Sequence, residues 1–349
     1  MRSSGVGLRC PLRRSIPYSR SCVSAPSSPA FTDEPAFTEE NDSTANDRNW
    51  EVTMPDFAAN LSTMFTDLPF LERFEAAARC GFDAVELAFP YVYPKEEVAK
   101  RLHAHRLTLV VFNLPAARSE EGERGIACHP NRTSEFREGV LQAIDYAAAV
   151  NCRFLNCLPG VRPNGASDET MRQTLVENLR FAARRAQSIG ATILVEPVDV
   201  RTLPGSYLHS TADVISLLDA VGARNVSLLY DVCHMHAMGE RTASAIARNL
   251  ARIGHIQIAG YPGRGEPIGG EIDYDGLLAL IDRIGHRGWV GCEYVPDGNT
   301  EAGLTWMMRH QRLTPRNPCR WGIPLSALRR QASSAGASAR RSEHFALFA

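Results

Sequence analysis

The sequence predicts a single (β/α)8 barrel of parallel strands, and three observations carry that expectation. The 255 residues from 54 to 308 match the usual length of such a barrel, about 250 residues. Within them, short apolar runs alternate eight times with amphipathic stretches of helical period. Glycines 81, 190, 222, 254, 285 and 288 fall between a helix and the next strand, where a helix-ending glycine is expected.

The eight strand–helix pairs follow in order. Phe57–Ser62 precedes Phe70–Cys80, Ala84–Phe89 precedes Lys95–His105, and Thr108–Leu114 precedes Ser134–Val150. Phe154–Leu158 then leads into Asp168–Ser188, and Thr192–Glu196 into Thr211–Val221. Val226–Asp231 leads into Ala243–Ala251, His255–Ala259 into Tyr274–Ile284, and Trp289–Glu293 into Glu301–Met308. Runs such as Ile193-Leu194-Val195 are apolar throughout, which suits a parallel sheet covered on both faces. An open doubly wound sheet is the rival, but no GxGxxG turn follows a strand. Closure is expected.

The ends of the chain differ from its middle. Residues 1–32 carry five Arg and no acid, residues 33–53 seven acids and one Arg, and residues 309–349 eight Arg and one Glu. With a net charge of −1 overall, residues 54–308 hold −7. Residues 1–53 and 309–349 are expected to be disordered, low-complexity extensions of a 54–308 catalytic domain. The start reads as an upstream extension of the reading frame, with Met54 opening the folded domain. An organellar transit peptide is the lesser alternative, so a cytoplasmic enzyme is expected. A near-neutral chain argues against nucleic acid as partner, and no run reaches the eighteen or so apolar residues of a membrane span. Self-association is left open. The nine cysteines form no CxxC pair, and those in apolar segments (80, 152, 157, 233, 292) are expected as buried, reduced thiols.

Chemistry in such a barrel sits where the strands end. The fifth strand ends in Glu196, the sixth in Asp231, the seventh in Gln257 and the eighth in Glu293. Their separations of 35, 26 and 36 residues are about one βα unit each, which puts four polar groups at corresponding heights. Three converging carboxylates would repel one another, and a divalent cation is the economical remedy. An all-oxygen set suits Mg²⁺ first and Mn²⁺ second, rather than Zn²⁺.

These segments resemble the hydroxypyruvate isomerase family of xylose isomerase-like TIM barrels, close to the 2-oxo-tetronate isomerases. The residues that carry the likeness are Leu194-Val195-Glu196-Pro197, Asp231-Val232-Cys233-His234, His255-Ile256-Gln257-Ile258-Ala259 and Trp289-Val290-Gly291-Cys292-Glu293-Tyr294. Gly122-Glu123-Arg124-Gly125 and Pro262-Gly263-Arg264-Gly265-Glu266-Pro267 add to it. The resemblance spans essentially all of 54–308. It implies a catalytic pair at Glu196 and Glu293, metal ligands at Glu196, Asp231, Gln257 and Glu293, and substrate contacts at His234, Arg264, Arg124 and Glu266. The implied reaction converts hydroxypyruvate into 2-hydroxy-3-oxopropanoate, with the four-carbon 2-oxo-tetronates as alternative substrates.

The residues suit that chemistry on their own terms. Moving a proton between adjacent carbons through an enediolate needs a base, an acid and positive charge near the oxygens. Glu293 reads as base and Glu196 as acid, with the reverse order left open. Arg264, in a Gly/Pro-rich loop, could hold a carboxylate in bidentate fashion, or a phosphate. His234 could polarise a substrate carbonyl, whereas His255 and the remaining histidines read as ordinary. The loop 116–132 is long enough for a lid. A 3-epimerase would place a His at Gln257, and an endonuclease of this fold would need a His-rich zinc site and a basic face. A non-catalytic acid- or metal-binding barrel is the alternative of a different class.

Overall fold

The computed structural model describes residues 55–116 and 124–310. The extension expected over 1–53 lies outside the described residues. So does the tail from 311, and so do residues 117–123 of the long loop.

Eight parallel strands close into a barrel in sequence order, with the last paired to the first. They are β1 (Phe57–Asn60), β2 (Ala84–Leu87), β3 (Thr108–Asn113) and β4 (Phe154–Cys157), then β5 (Thr192–Val195), β6 (Val226–Asp231), β7 (Ile253–Ile258) and β8 (Val290–Cys292). The helices are α1 (Arg73–Arg79), α2 (Lys95–His105), α3 (Thr133–Val150), α4 (Asp168–Gln187) and α5 (Thr211–Val221). They continue with α6 (Val232–Ala237), α7 (Thr242–Asn249), α8 (Tyr274–Arg283), α9 (Thr300–Gly303) and α10 (Met307–His310). The expected alternation is present throughout. Ser167 and Ser210 cap α4 and α5 by accepting the Thr170 and Asp213 amides, which satisfies otherwise orphaned N–H groups.

Three expectations need correction. Helix α6 follows β6 directly, and its six residues are too few to show a helical period in sequence. Gly254 lies inside β7 rather than at a helix end, where a Cβ would come within 2.6 Å of Leu194 Cδ2. Gly288 is not among the glycines with positive φ, while Gly222 does end α5 at φ 68°. In addition, α10 runs to His310, two residues past the expected boundary, and His310 is buried.

Two apolar layers hold the fold. One fills the barrel with Ala58, Ala84, Val110, Val111, Leu194 and Leu229, flanked by Phe154 and Trp289. The other lies between strands and helices and includes Phe74, Leu155, Leu175 and Ile281. Six described cysteines are buried free thiols, in keeping with packing roles. Burial pushes the Cys80 and Cys128 thiols up to about 12. Among the described residues no helix is long and apolar enough to cross a membrane.

Trp306, 1% exposed, packs edge-on against Phe57 at 5.1 Å and donates its indole N–H to Tyr294 Oη at 3.2 Å. It ties the C-terminal segment to β1. Trp306→Ala should cost about 3–5 kcal/mol, read from the urea midpoint at unchanged slope.

Candidate active site

Side chains on a strand alternate between faces. Two residues beyond each interior position, every strand therefore presents one more side chain to the barrel axis. Ala58 is followed by Asn60, Ala84 by Glu86, Val111 by Asn113 and Phe154 by Asn156. Leu194 is followed by Glu196, Leu229 by Asp231, His255 by Gln257 and Gly291 by Glu293. All eight successors are polar. A floor that is apolar except at His255 thus gives way, in one step, to a polar layer at the C-terminal mouth.

Hydrogen bonds knit this layer together. Asn156 donates to Asn113 Oδ1 at 3.0 Å and to Glu196 Oε2 at 2.7 Å. Asn60 donates to Glu86 Oε2 at 3.3 Å and to Glu293 Oε1 at 3.4 Å. Gln257 donates to Glu86 Oε2 at 2.9 Å, and His255 Nε2 contacts Glu86 Oε1. Arg264 NH2 donates to Asp231 Oδ2 at 3.0 Å and to Glu293 Oε2 at 2.9 Å. Asp231 also caps α6 by accepting the His234 amide at 2.9 Å.

His234 is held from behind by Asp199, whose Oδ2 lies 2.8 Å from Nδ1. Its Nε2 is 3.7 Å from both Glu196 Oε1 and Asp231 Oδ2. Glu196, Asp231 and His234 form a buried trio whose ligand atoms lie within 4.8 Å of one another. The same Nε2 is 3.1 Å from Arg264 NH1, which fits an accepting nitrogen there and a donating Nδ1–H toward Asp199.

Burial first, and then the neighbouring Asp231 charge, push the Glu196 carboxyl up to about 8. Burial also drives Glu293 up to about 8 against the opposing pull of Arg264, with Glu196 adding to the rise. Asp231 goes the other way: burial would raise it, but Arg264 and His234 hold it below the ordinary range. Burial would likewise raise Asp199, yet hydrogen bonds from His234 and Thr202 keep it well down. The layer therefore holds acids of opposite tendency side by side, a pattern typical of acid–base sites.

The structure gathers Glu196, Asp231, Gln257, Glu293, His234 and Arg264 at one mouth. Arg264 is not a solvated loop cation. Its side chain is 12% exposed, it adopts φ 53°, and it bridges two acids of the layer. Arg124 is half-buried, which lowers its pKa, while the Glu293 charge opposes that fall. Glu266 does not enter the hydrogen-bonded layer: its carboxylate accepts the Asp297 amide at 3.2 and 3.3 Å and braces the two loops after β7 and β8. The sequence reading missed Asn60, Glu86, Asn113, Asn156 and Asp199, and took His255 for ordinary. The signal was present for the first four, since each interrupts an apolar run as Asp231 does.

The side chains fit a divalent cation. Glu196, Asp231 and His234 are close enough to share one, and Gln257 Oε1 is buried with no hydrogen-bond partner in the structure. An orphaned buried carbonyl costs free energy that a cation would recover.

Residues 74–310 match a family described as xylose isomerase-like TIM barrel. Hydroxypyruvate isomerase of Escherichia coli strain K12 is 46% identical over 251 residues, covering 72% of this chain and 97% of the relative. The 2-oxo-tetronate isomerase of Cupriavidus necator is 41% identical over 254 residues, covering 73% and 98%. A Brucella melitensis crystal structure named AP endonuclease, family 2, superposes with a TM-score of 0.72 at 41% identity, covering 74% of this chain and all of that one.

Removing Arg264 leaves Asp231 and Glu293 uncompensated in a buried setting. Arg264→Ala should therefore cost about 3–5 kcal/mol in chelator-treated protein, seen as a lower melting temperature. Added Mn²⁺ should raise that temperature more in the variant than in the native chain; equal shifts would contradict a shared site.

Proposed function

Because the chain belongs to the hydroxypyruvate isomerase and 2-oxo-tetronate isomerase family of xylose isomerase-like TIM barrels, and is an isomerase of that family, we propose that it interconverts hydroxypyruvate and 2-hydroxy-3-oxopropanoate. The observation that carries this reading is the pair of glutamates at the mouth, Glu196 buried and Glu293 partly exposed, with carboxyl pKa values raised into the range where one group can give and take a proton near neutral pH.

Glu293 serves as the base. Arg264 at 2.9 Å favours its carboxylate form. It takes a proton from C3, the hydroxyl-bearing carbon of hydroxypyruvate, leaving an enediolate across C2 and C3. Glu196, beside the negative Asp231 and held by the Asn156 amide, delivers a proton to C2. The C3 hydroxyl proton passes to the oxygen on C2, so one C–H bond breaks, one forms, and the redox state is unchanged overall. A divalent cation held by Glu196, Asp231, Gln257 and Glu293, with His234 as a further ligand, would supply positive charge to the enediolate oxygens. The oxygen-rich set favours Mg²⁺ or Mn²⁺.

Arg264 and Arg124 bring positive charge to the mouth and suit a substrate with a carboxylate. Glu266 acts by keeping the Arg264 loop in place rather than by touching substrate. The 2-oxo-tetronates are the second reading, favoured by the 41% identity to the Cupriavidus necator enzyme. An endonuclease, as the name of the Brucella melitensis protein suggests, fits less well, since among the described residues His234 is the one imidazole grouped at metal-ligand spacing with acids of the proposed ligand set, His255 facing Glu86 instead.

Incubating the full chain with Mn²⁺ and hydroxypyruvate in D₂O should yield the semialdehyde by proton NMR, with deuterium entering the substrate carbons. Glu293→Gln should lower turnover about 10²–10⁴-fold with the fold retained, read from an unchanged circular dichroism spectrum; near-native turnover would refute the assignment. Conversion of a four-carbon 2-oxo acid but not of hydroxypyruvate would select the second reading.

A further inference from the structure

One buried acid of the polar layer has no part in the proton transfer described above. Glu86, on β2, is completely buried and gathers three donors: His255 Nε2 on one oxygen, with Gln257 Nε2 at 2.9 Å and Asn60 Nδ2 at 3.3 Å on the other. It reaches across β1 to β7 and β8, and the space it fills exists because residue 291 is glycine. A Cβ on Gly291 would collide with Glu86 Oε1. Ala58, paired to Gly291 across the ladder, keeps the path short on the β1 side. The strand that presents Glu293 is thus built to admit this carboxylate two residues below it.

A side-chain amide has two chemically different ends, and packing alone hardly distinguishes them. A carboxylate does, because it accepts hydrogen bonds and repels a carbonyl oxygen. With Glu86 on one side, Gln257 must turn its NH₂ inward and leave Oε1 as its free end. That oxygen is buried and has no hydrogen-bond partner, as is also true of Asn156 Oδ1 and His255 Nδ1 among the described residues.

We propose that Glu86 is a positioning residue for the cation site: it fixes the amide orientation of Gln257, so that Oε1 stands ready as a ligand oxygen. His255 and Asn60 hold Glu86 in turn, and Asn60 links it to Glu293 through one shared amide. The inference rests on the cation site of the proposed function, but not on which substrate is turned over. It assigns work to Glu86, His255 and Gly291, none of which touches the reacting atoms.

The test is Mn²⁺ binding to the full chain at fixed pH, without substrate, followed by the electron paramagnetic resonance of free Mn²⁺. Glu86→Gln keeps the shape but lets either amide end face Gln257, and should weaken Mn²⁺ about 10–100-fold, the usual range for partners of metal ligands. The double variant E86Q/Q257E restores a donor facing a carboxylate and should return the affinity to within a few-fold of native. Gln257→Glu alone sets two carboxylates face to face and should bind more weakly than the double variant. Native affinity in Glu86→Gln, no recovery in the double variant, or equal affinity for Gln257→Glu alone and the double variant would each overturn the proposal, as would a native chain that binds no Mn²⁺. Should Glu86→Gln not fold, Glu86→Asp keeps the buried acid but withdraws it by one methylene; the same loss is expected, and native affinity there would also overturn it. Turnover is measured separately, so a chain that shows these Mn²⁺ shifts yet leaves hydroxypyruvate unchanged rejects the substrate reading alone.

Discussion

Crowded negative charge at the mouth of the barrel is the constraint on which the site depends. Glu86, Glu196, Asp231 and Glu293 end four strands, and Asp199 stands behind His234. A buried carboxylate without compensation is costly by several kcal/mol, so each must be answered locally. Arg264 answers two of them at 2.9 and 3.0 Å, the Asn156 amide answers Glu196, and His255, Gln257 and Asn60 answer Glu86. The remainder of the imbalance is what suits the site to a cation and to the proposed proton transfer. Burial without full compensation raises Glu196 and Glu293, while fuller compensation lowers Asp231.

The barrel supplies the geometry for that crowding. Because side chains repeat every two residues along a strand, all eight strands present a polar residue to the interior at the same level, two residues above a floor that is apolar except at His255. Small residues decide who may cross the interior: Gly291 makes room for Glu86, and Gly254 makes room for Leu194. The loops then add what strands cannot. The β7 loop folds Arg264 back over the mouth at a positive φ, and Glu266 pins that loop to the one after β8. A short helix directly after Asp231 brings His234 round to face the acid it follows by three residues.

The residues proposed to react and those proposed to position share one layer but differ in their neighbours. Glu196 and Glu293 face groups of mixed sign, which leaves them able to change protonation. Glu86 faces donors from three sides. Three glutamates on the same kind of strand position thus differ by their surroundings alone.

The barrel itself was legible in the sequence. Eight apolar runs, eight helical periods and a −7 middle of barrel length determine it, because burial on both faces and helical amphipathicity are local properties of the chain. Glu196, Asp231, Gln257 and Glu293 were legible too, as polar breaks about one βα unit apart. By the same rule Asn60, Glu86, Asn113 and Asn156 could have been read, since each interrupts an apolar run. Their partners could not. That Arg264 lies on Asp231 and Glu293 and that Glu266 faces a loop amide depend on how the loops fold over neighbouring strands, and that His255 and Gln257 meet Glu86 across 169 and 171 residues depends on closure of the ladder between β8 and β1. Sequence sets which residues a strand offers to the axis; only the closed barrel decides which of them touch, because those contacts join strands far apart in the chain.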